Sequence, residues 1–151
     1  MADWDVKATG FKELSETLLS LANGETADRI QRSALSAAGD VILDGLESAT
    51  PIRASTVYGK SLPEGALRDA LRKRISLPRD GTAAEVDVDF GKLSFIAHIV
   101  DIGHVNANAK TGRTHTPAYP FIRSTEDATR SEAADAYLST MREGINRELS
   151  K

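Results

Sequence analysis

The sequence changes its periodicity at residues 84–90, AEVDVDF. Apolar residues at the even positions alternate with acidic residues at the odd positions, and this two-residue period is typical of a strand with one buried and one solvent-exposed face. A Gly-Lys pair at 91–92 predicts a turn, and the apolar residues 93–103, LSFIAHIVDIG, predict a second strand. We therefore expect a β-hairpin in this part of the chain.

Two segments near the N-terminus have the three- and four-residue spacing of amphipathic helices. The first begins near Gly10 and ends before residues 23–25, NGE. Its apolar face consists of Phe11, Leu14, Leu18 and Leu21. The second has Thr26 as its predicted N-cap and ends before Pro51, because proline disfavours the helical conformation in the residue that precedes it. Its alanine-rich stripe consists of Ile30, Ala34, Ala37, Val41 and Leu46.

The region between this long helix and the hairpin contains two further predicted segments. Residues 51–63, PIRASTVYGKSLP, have no periodicity and predict a loop. Residues 63–75 predict a short helix with one apolar and one basic face. The apolar face consists of Leu67, Leu71 and Ile75, and the basic face of Arg68, Arg72 and Lys73.

In residues 99–123, IVDIGHVNANAKTGRTHTPAYPFIR, an apolar segment ends at Gly103 and polar and small residues follow as far as Tyr119. Compact domains seldom contain an irregular loop of more than about a dozen residues unless it is disordered or has a function. We expect Ser124 or Thr125 to cap a final helix after this loop. Its predicted buried stripe consists of Ala134, Leu138, Met141, Ile145 and Leu149.

These segments predict an α+β fold: N-terminal helices, a small antiparallel sheet with a long protruding loop, and a C-terminal helix. The 151 residues are enough for one domain, 1–151, but not for two cores. A hydrophobic content of 40% and a charged content of 27% are typical of a soluble globular protein. No apolar run is long enough to cross a bilayer and no signal peptide is evident, so the expected compartment is the cytoplasm.

No motif predicts an active site or a cofactor. The absence of cysteine excludes disulfides and thiolate ligands. The three histidines, at 98, 104 and 115, lack the spacing of a metal site. The segment 109–114, AKTGRT, lacks the order of a phosphate-binding loop, and no nucleophile elbow is present. The sequence therefore predicts a protein that is not an enzyme.

Two charged segments suggest alternative functions. Residues 68–79 contain five basic side chains, and Arg68, Arg72 and Lys73 are the candidates for contact with nucleic acid or a partner. A net charge of -3 gives no overall attraction to nucleic acid, and stacking aromatics are missing from this run. A hydrolase with a metal site at Asp87, Asp89 and Asp101 is a further alternative.

Four short patterns occur in order along the chain. A glycine-led helix, GFKELSETLLSL, precedes the long alanine-rich helix that ends in ATP. PEGALRDALRKRIS, IAHIVDIGH and TPAYPFIRSTEDA follow. The positions that carry the pattern in these three are Gly65, Leu67, Arg68, Ile75, Ala97, Val100, Asp101, Gly103, Pro117, Pro120, Phe121, Ile122 and Arg123. In this order and spacing the chain resembles the neck or tail-completion protein family of long-tailed double-stranded DNA phages, which includes head–tail joining proteins and minor tail components.

The resemblance implies a structural virion protein that forms a homo-oligomeric ring at the joint between the head connector and the tail tube. Its implied partners are a head-closure or connector protein and a tail terminator or tail tube protein, with double-stranded DNA passing through the lumen. A hexamer is favoured and a dodecamer is the alternative. The chain would be assembled in the bacterial host cytoplasm and located in the neck or tail of the virion, with no membrane and no cofactor.

Under this interpretation the long loop contacts a neighbouring subunit or ring, and three sets of residues have predicted roles. The contact residues are His104, Asn106, Asn108, Lys110, Arg113, His115 and Tyr119. The loop anchor is Asp101, Gly103, Pro120 and Phe121. The side chains that would face the lumen are Glu85, Asp87 and Asp89. Aspartate at 101, histidine at 104 and tyrosine at 119 replace the glutamate, threonine and glutamine usual in the family, so the neighbour that this loop touches can differ.

Overall fold

The computed structural model of the chain describes residues 24–53, 55–57, 60–77, 84–105 and 115–151. The predicted helix at 10–21 and the part of the predicted loop at 106–114 lie outside these ranges. Within them, the structure combines helices with small antiparallel sheets and closes with a C-terminal helix, which agrees with the predicted α+β class.

Two long helices, α1 (Glu25–Ala49) and α4 (Phe121–Leu149), form the framework of the molecule. They are antiparallel, because Arg29 at the start of α1 contacts Glu148 at the end of α4 and Gly45 lies against Thr129. A Cβ atom added at Gly45 would lie 2.7 Å from Cγ2 of Thr129, so the two backbones approach more closely than larger residues would allow. Gly45 thus allows the close packing of α1 against α4.

Between the long helices, the described residues form three hairpins, two short helices and one turn of 3-10 helix at Gly91–Leu93. The hairpin strands are β1 (Ser55–Val57) with β2 (Lys60–Leu62), β3 (Arg72–Ser76) with β4 (Glu85–Asp89), and β5 (His104–Val105) with β6 (His115–Thr116). The short helices are α2 (Ala66–Asp69) and α3 (Ser94–Ile102). None of the helices in the described ranges is long and apolar enough to cross a membrane.

The hydrophobic core lies where α1, α3, β4 and the start of α4 meet. Its buried residues are Leu46, Leu67, Phe90, Ala97 and Phe121. The rings of Phe90 and Phe121 pack edge to face, with centroids 5.8 Å apart and planes at 77°. This aromatic contact ties the end of β4 to the first residue of α4.

The segment after β4 is a helix, so the predicted second strand at 93–103 is wrong. Positions 93, 96, 97, 100 and 101 lie on the core side of the 3-10 turn and α3, at the spacing of one helix face. A short, almost continuously apolar run fits either a buried strand or a buried helix, and here the helical period decides.

The true partner of β4 is β3, within the segment predicted to be a short helix. Only four residues of that segment, α2, are helical, and the prediction of Leu71 and Ile75 on one helix face is wrong. Ile75 pairs instead with Val86, and the side chains of β3 and β4 alternate between exposed and half-buried positions. Residues 51–63, predicted as a loop, contain the β1–β2 hairpin.

The ends and faces of the long helices differ in detail from the prediction. The N-cap of α1 is Gly24 rather than Thr26, and α4 begins at Phe121 after Pro120 rather than after Ser124 or Thr125. On α1, Leu35, Ala38 and Gly39 are buried, whereas the predicted Ala37 and Val41 are half-buried. The buried face of α4 is Phe121, Thr125, Thr129 and Ala133, and the two threonines lie against Gly45. The predicted buried stripe is therefore wrong: Ala134, Leu138 and Leu149 are exposed, and Met141 and Ile145 are half-buried.

Candidate functional site at the loop root

The two ends of the predicted loop meet in what we call the loop root, residues 100–105 and 115–123. The strands β5 and β6 pair antiparallel, with His104 opposite Thr116 and Val105 opposite His115. In addition, the Tyr119 N–H donates to the carbonyl oxygen of Val100 at 3.0 Å. Segments that are some fifteen residues apart in sequence are therefore joined by backbone contacts.

Gly103 ends α3 and turns the chain into β5. Its φ of 75° and ψ of 169° are a combination that essentially only glycine adopts. A Cβ atom at this position would also lie 2.7 Å from the carbonyl oxygen of Thr116 and 2.7 Å from the backbone nitrogen of Ala118. Both the conformation and the close approach of the returning chain require glycine here.

Asp101 joins α3 to the first turn of α4. Its side chain is only 4% exposed, and its Oδ1 accepts a hydrogen bond from the Ile122 N–H at 2.8 Å. The first N–H groups of a helix have no partner within the helix, and a carboxylate there is also favoured by the helix dipole. Oδ2 lies 3.4 Å from Nε of Arg123, whose side chain is 66% exposed. The carboxylate therefore caps α4 from a neighbouring helix.

The aromatic residues of the loop root differ in exposure. Phe121 is buried against Phe90, whereas Tyr119 is exposed, although the two rings lie 6.1 Å apart. Pro120 lies on the surface as the N-cap of α4. The predicted loop anchor is thus assembled at one place, and Tyr119 presents an aromatic surface beside it.

The other predicted contact residues fall into two groups. His104 is half-buried at the start of β5, and His115 opens β6. Asn106, Asn108, Lys110 and Arg113 lie outside the described residues. Their contacts with a neighbouring subunit remain a prediction.

The acidic strand and the basic run, which the sequence analysis treated as separate features, are paired strands of one hairpin. Arg72 lies opposite Asp89, and Arg74 lies opposite Asp87. Opposite charges across an antiparallel pair attract, so the register gives this surface a mixed charge rather than a row of unpaired carboxylates. Glu85 is exposed opposite Ser76.

Asp89 is the most engaged of these carboxylates. Its Oδ1 accepts hydrogen bonds from Nε of Arg72 at 2.5 Å and from the Gly91 N–H at 2.6 Å. The hydrogen bond from Arg72, followed by that from Gly91, lowers the pKa of Asp89 below its ordinary value of 3.8. Asp89 thus holds β3 and the turn after β4 together.

The basic residues proposed for nucleic-acid contact have partners within the chain. Nζ of Lys73 donates to the Ser36 hydroxyl oxygen at 2.9 Å and also contacts Asp40, which links β3 to α1. Nε of Arg68 donates to the carbonyl oxygen of Glu47 at 2.9 Å. With Arg72 bound to Asp89, all three candidate residues have a role in holding the fold together.

Asp87, Asp89 and Asp101 do not form a metal site. Within the described ranges, no group of three or more histidine, aspartate or glutamate side chains is placed to hold a metal ion. Asp101 is directed to the α4 terminus and Asp89 to Arg72. Sequence reasoning did not identify the hydrogen-bond partner of Asp101. In a helix, a residue four positions after the buried Ala97 lies on the same side, and a carboxylate on the core side of a helix needs a buried partner.

Comparisons of the chain with protein-family models, curated proteins and solved structures found no match.

Proposed function

We propose that the chain is a structural subunit of a phage neck, which forms a homo-oligomeric ring between the head connector and the tail tube and contacts its neighbours through the loop. The observation that carries this proposal is the loop root. The two patterns with the most detailed resemblance, at 97–103 and 117–123, contact each other through Asp101, Gly103 and Ile122. Their spacing in the sequence thus corresponds to one physical junction.

The loop root is suited to hold a contact segment in a defined direction. The β5–β6 pairing fixes the separation of the two chain ends, and the Asp101 carboxylate ties one of them to α4. The intervening sequence, residues 106–114, is polar and contains amide, ammonium and guanidinium groups. Such groups form hydrogen bonds across protein interfaces, and a ring requires one surface to bind a different surface on the next copy.

The proposed ring has six subunits, with twelve as the alternative, and DNA passes through its lumen. If the β3–β4 hairpin lines that lumen, the positive charges of Arg72 and Arg74 face the DNA together with the carboxylates of residues 85, 87 and 89. This surface then has a small excess of negative charge. A weak negative potential would oppose adhesion of the DNA phosphates without strong repulsion. The ring therefore acts as a passive conduit in this proposal.

The test replaces residues 106–114 with a glycine-serine sequence of equal length in the phage genome. Heads and tails should then each form but fail to join, whereas thermal melts of the purified variant should match those of the parent chain. A control variant, S131A/E132A, changes two exposed side chains of α4 away from the loop root and should support normal plaque formation. Full infectivity of the 106–114 variant would refute the proposed contact, and assembled necks that lack this chain would refute the proposed function.

A further inference from the structure

A groove lies between the strand β4 and the helix α4. Its floor is formed by Ile42 and Leu46 of α1, and its walls by Val88 of β4 and by Ile122 and Ala133 of α4. The polar residues 125, 126, 129 and 130 of α4 complete the lining. The groove has a volume of about 340 Å³, within the range of about 300–1,000 Å³ that is typical of ligand pockets. It is therefore large enough to accept apolar side chains from another molecule.

The edge of β4 that does not pair with β3, which we call the free edge, borders this groove. In the described ranges β4 has only β3 beside it in its sheet. Lys73 of β3, which lies opposite Val88, contacts Ser36 and Asp40 on another side of α1, and no residue of β3 lines the groove. The free edge of a strand presents the N–H and C=O groups of every second residue, and such an edge can bind another extended chain.

The two faces of β4 specify the chemistry of a strand that would bind beside it. The outer face has the carboxylates of Glu85, Asp87 and Asp89, whereas Val86 and Val88 are directed to α1 and the groove. Opposite charges on neighbouring strands attract, and apolar side chains are stabilised where they leave water. A segment with basic side chains on one face and apolar side chains on the other therefore matches the free edge.

The strand that β4 already binds has basic side chains in the same positions. In β3, Arg72 and Arg74 lie opposite the two aspartates of β4, and Ile75 lies opposite Val86. We propose that the free edge of β4 binds an extended segment of a partner protein in which basic and apolar side chains alternate, with the apolar ones in the groove. The β3 strand of a second copy does not fit, because Lys73 fastens its inner face to its own α1. This site is independent of the proposed ring.

The first experiment titrates the isotope-labelled full chain with the synthetic peptide acetyl-RIRVRIR-amide and follows its backbone and methyl NMR signals. We expect saturable binding, with a Kd of about 1 mM or below, that shifts the amide signals of β4 and the methyl signals of Ile42, Val88 and Ile122. The control peptide acetyl-EIEVEIE-amide has the same apolar residues and the opposite charge, and should bind at least about tenfold more weakly. Absence of binding, equal binding of the two peptides at β4, or shifts confined to other parts of the chain would overturn the proposal.

The second experiment distinguishes strand pairing from simple occupation of the groove. Successive N–H groups of a strand point to opposite sides, so alternate amides of the basic peptide can be N-methylated as two separate sets. Methylation of the set that faces β4 should weaken binding at least about tenfold, and methylation of the other set should change it by less than about twofold. Equal effects of the two sets would show that the peptide does not pair with β4.

The third experiment tests the charge of the outer face in the protein itself. D87N removes one exposed carboxylate from β4 and should weaken the binding of the basic peptide by about two- to fivefold. The matched control D135N makes the same change at an exposed position of α4 that does not line the groove, and should leave the Kd unchanged. An unchanged Kd in D87N, or an equal loss of affinity in the two variants, would contradict the proposed match of charge.

Discussion

Replacement of Asp101 by alanine tests whether this carboxylate holds the loop root together. The substitution leaves the partly buried Ile122 N–H without its acceptor, which costs about 1–3 kcal/mol, and removes a negative charge from the α4 N-terminus, worth about 0.3–1 kcal/mol. Relief from burying a charge offsets part of this loss. We expect D101A to reduce the free energy of unfolding by about 2–3 kcal/mol.

Two companion variants separate the contributions. D101N keeps an oxygen acceptor for Ile122 but loses the charge, and should cost about 1 kcal/mol. R123A removes only the exposed partner of the ion pair, and should cost about 0–1 kcal/mol because water screens that pair. The expected order of destabilisation is therefore D101A, then D101N, then R123A.

The assay is urea denaturation of the three variants and the parent chain, followed by circular dichroism and supported by thermal melts. In a chain of this length each kcal/mol corresponds to about 2–4 °C in Tm, so D101A should melt roughly 4–12 °C below the parent. A loss of less than about 0.5 kcal/mol in D101A would refute the role of the carboxylate as a helix cap. A loss in R123A equal to that in D101A would show that the ion pair, not the Ile122 hydrogen bond, holds the junction.

Two further predictions concern a glycine of the loop root and the charged hairpin. G103A should destabilise the chain by about 1–3 kcal/mol more than G24A in urea denaturation. Both glycines have a positive φ, but of the two only Gly103 has backbone atoms that an added Cβ would meet, at 2.7 Å. Equal losses of stability in the two variants would argue against this close approach. The pKa of Asp89 is lowered in the folded state by the hydrogen bond from Arg72, so this carboxylate contributes stability above its ordinary pKa of 3.8, and that contribution is lost as the pH falls through the lower folded value. The stability difference between the parent and D89N should therefore be larger at pH 6 than at pH 2.5, and a difference that stays constant with pH would contradict this assignment.

Local signals in the sequence were sufficient to locate the end of α1, the strand β4 and a buried residue at the start of α4. Pro51 correctly predicted the end of α1, since the helix stops at Ala49 and Thr50 is extended. The alternation at 84–90 correctly predicted β4, and Phe121 lies in the core as expected of a loop anchor. In each case one residue or one period excluded the other conformations.

Features that depend on contacts between distant residues were not predictable in this way. The segment 63–75 fits a helix by the spacing of Leu67, Leu71 and Ile75. Its last residues instead pair with β4, where Arg72 lies opposite Asp89 and Arg74 opposite Asp87, and this pairing between distant residues is not visible in the local sequence. Thr125 and Thr129 are buried because Gly45 lies opposite them, which the sequence of α4 alone does not indicate. For the loop root, the resemblance indicated which residues belong together, and the structure adds the hydrogen bond from Ile122 to Asp101 that joins them.

The β5–β6 pairing has a consequence for the evolution of the chain. The pairing of His104 with Thr116 and of Val105 with His115 brings the two strands together before residue 106 and after residue 114. The entropy of closing a loop changes by only about 0.6 kcal/mol for each doubling of its length. The length of the loop that this junction closes is therefore open to change during evolution at little cost in closure entropy.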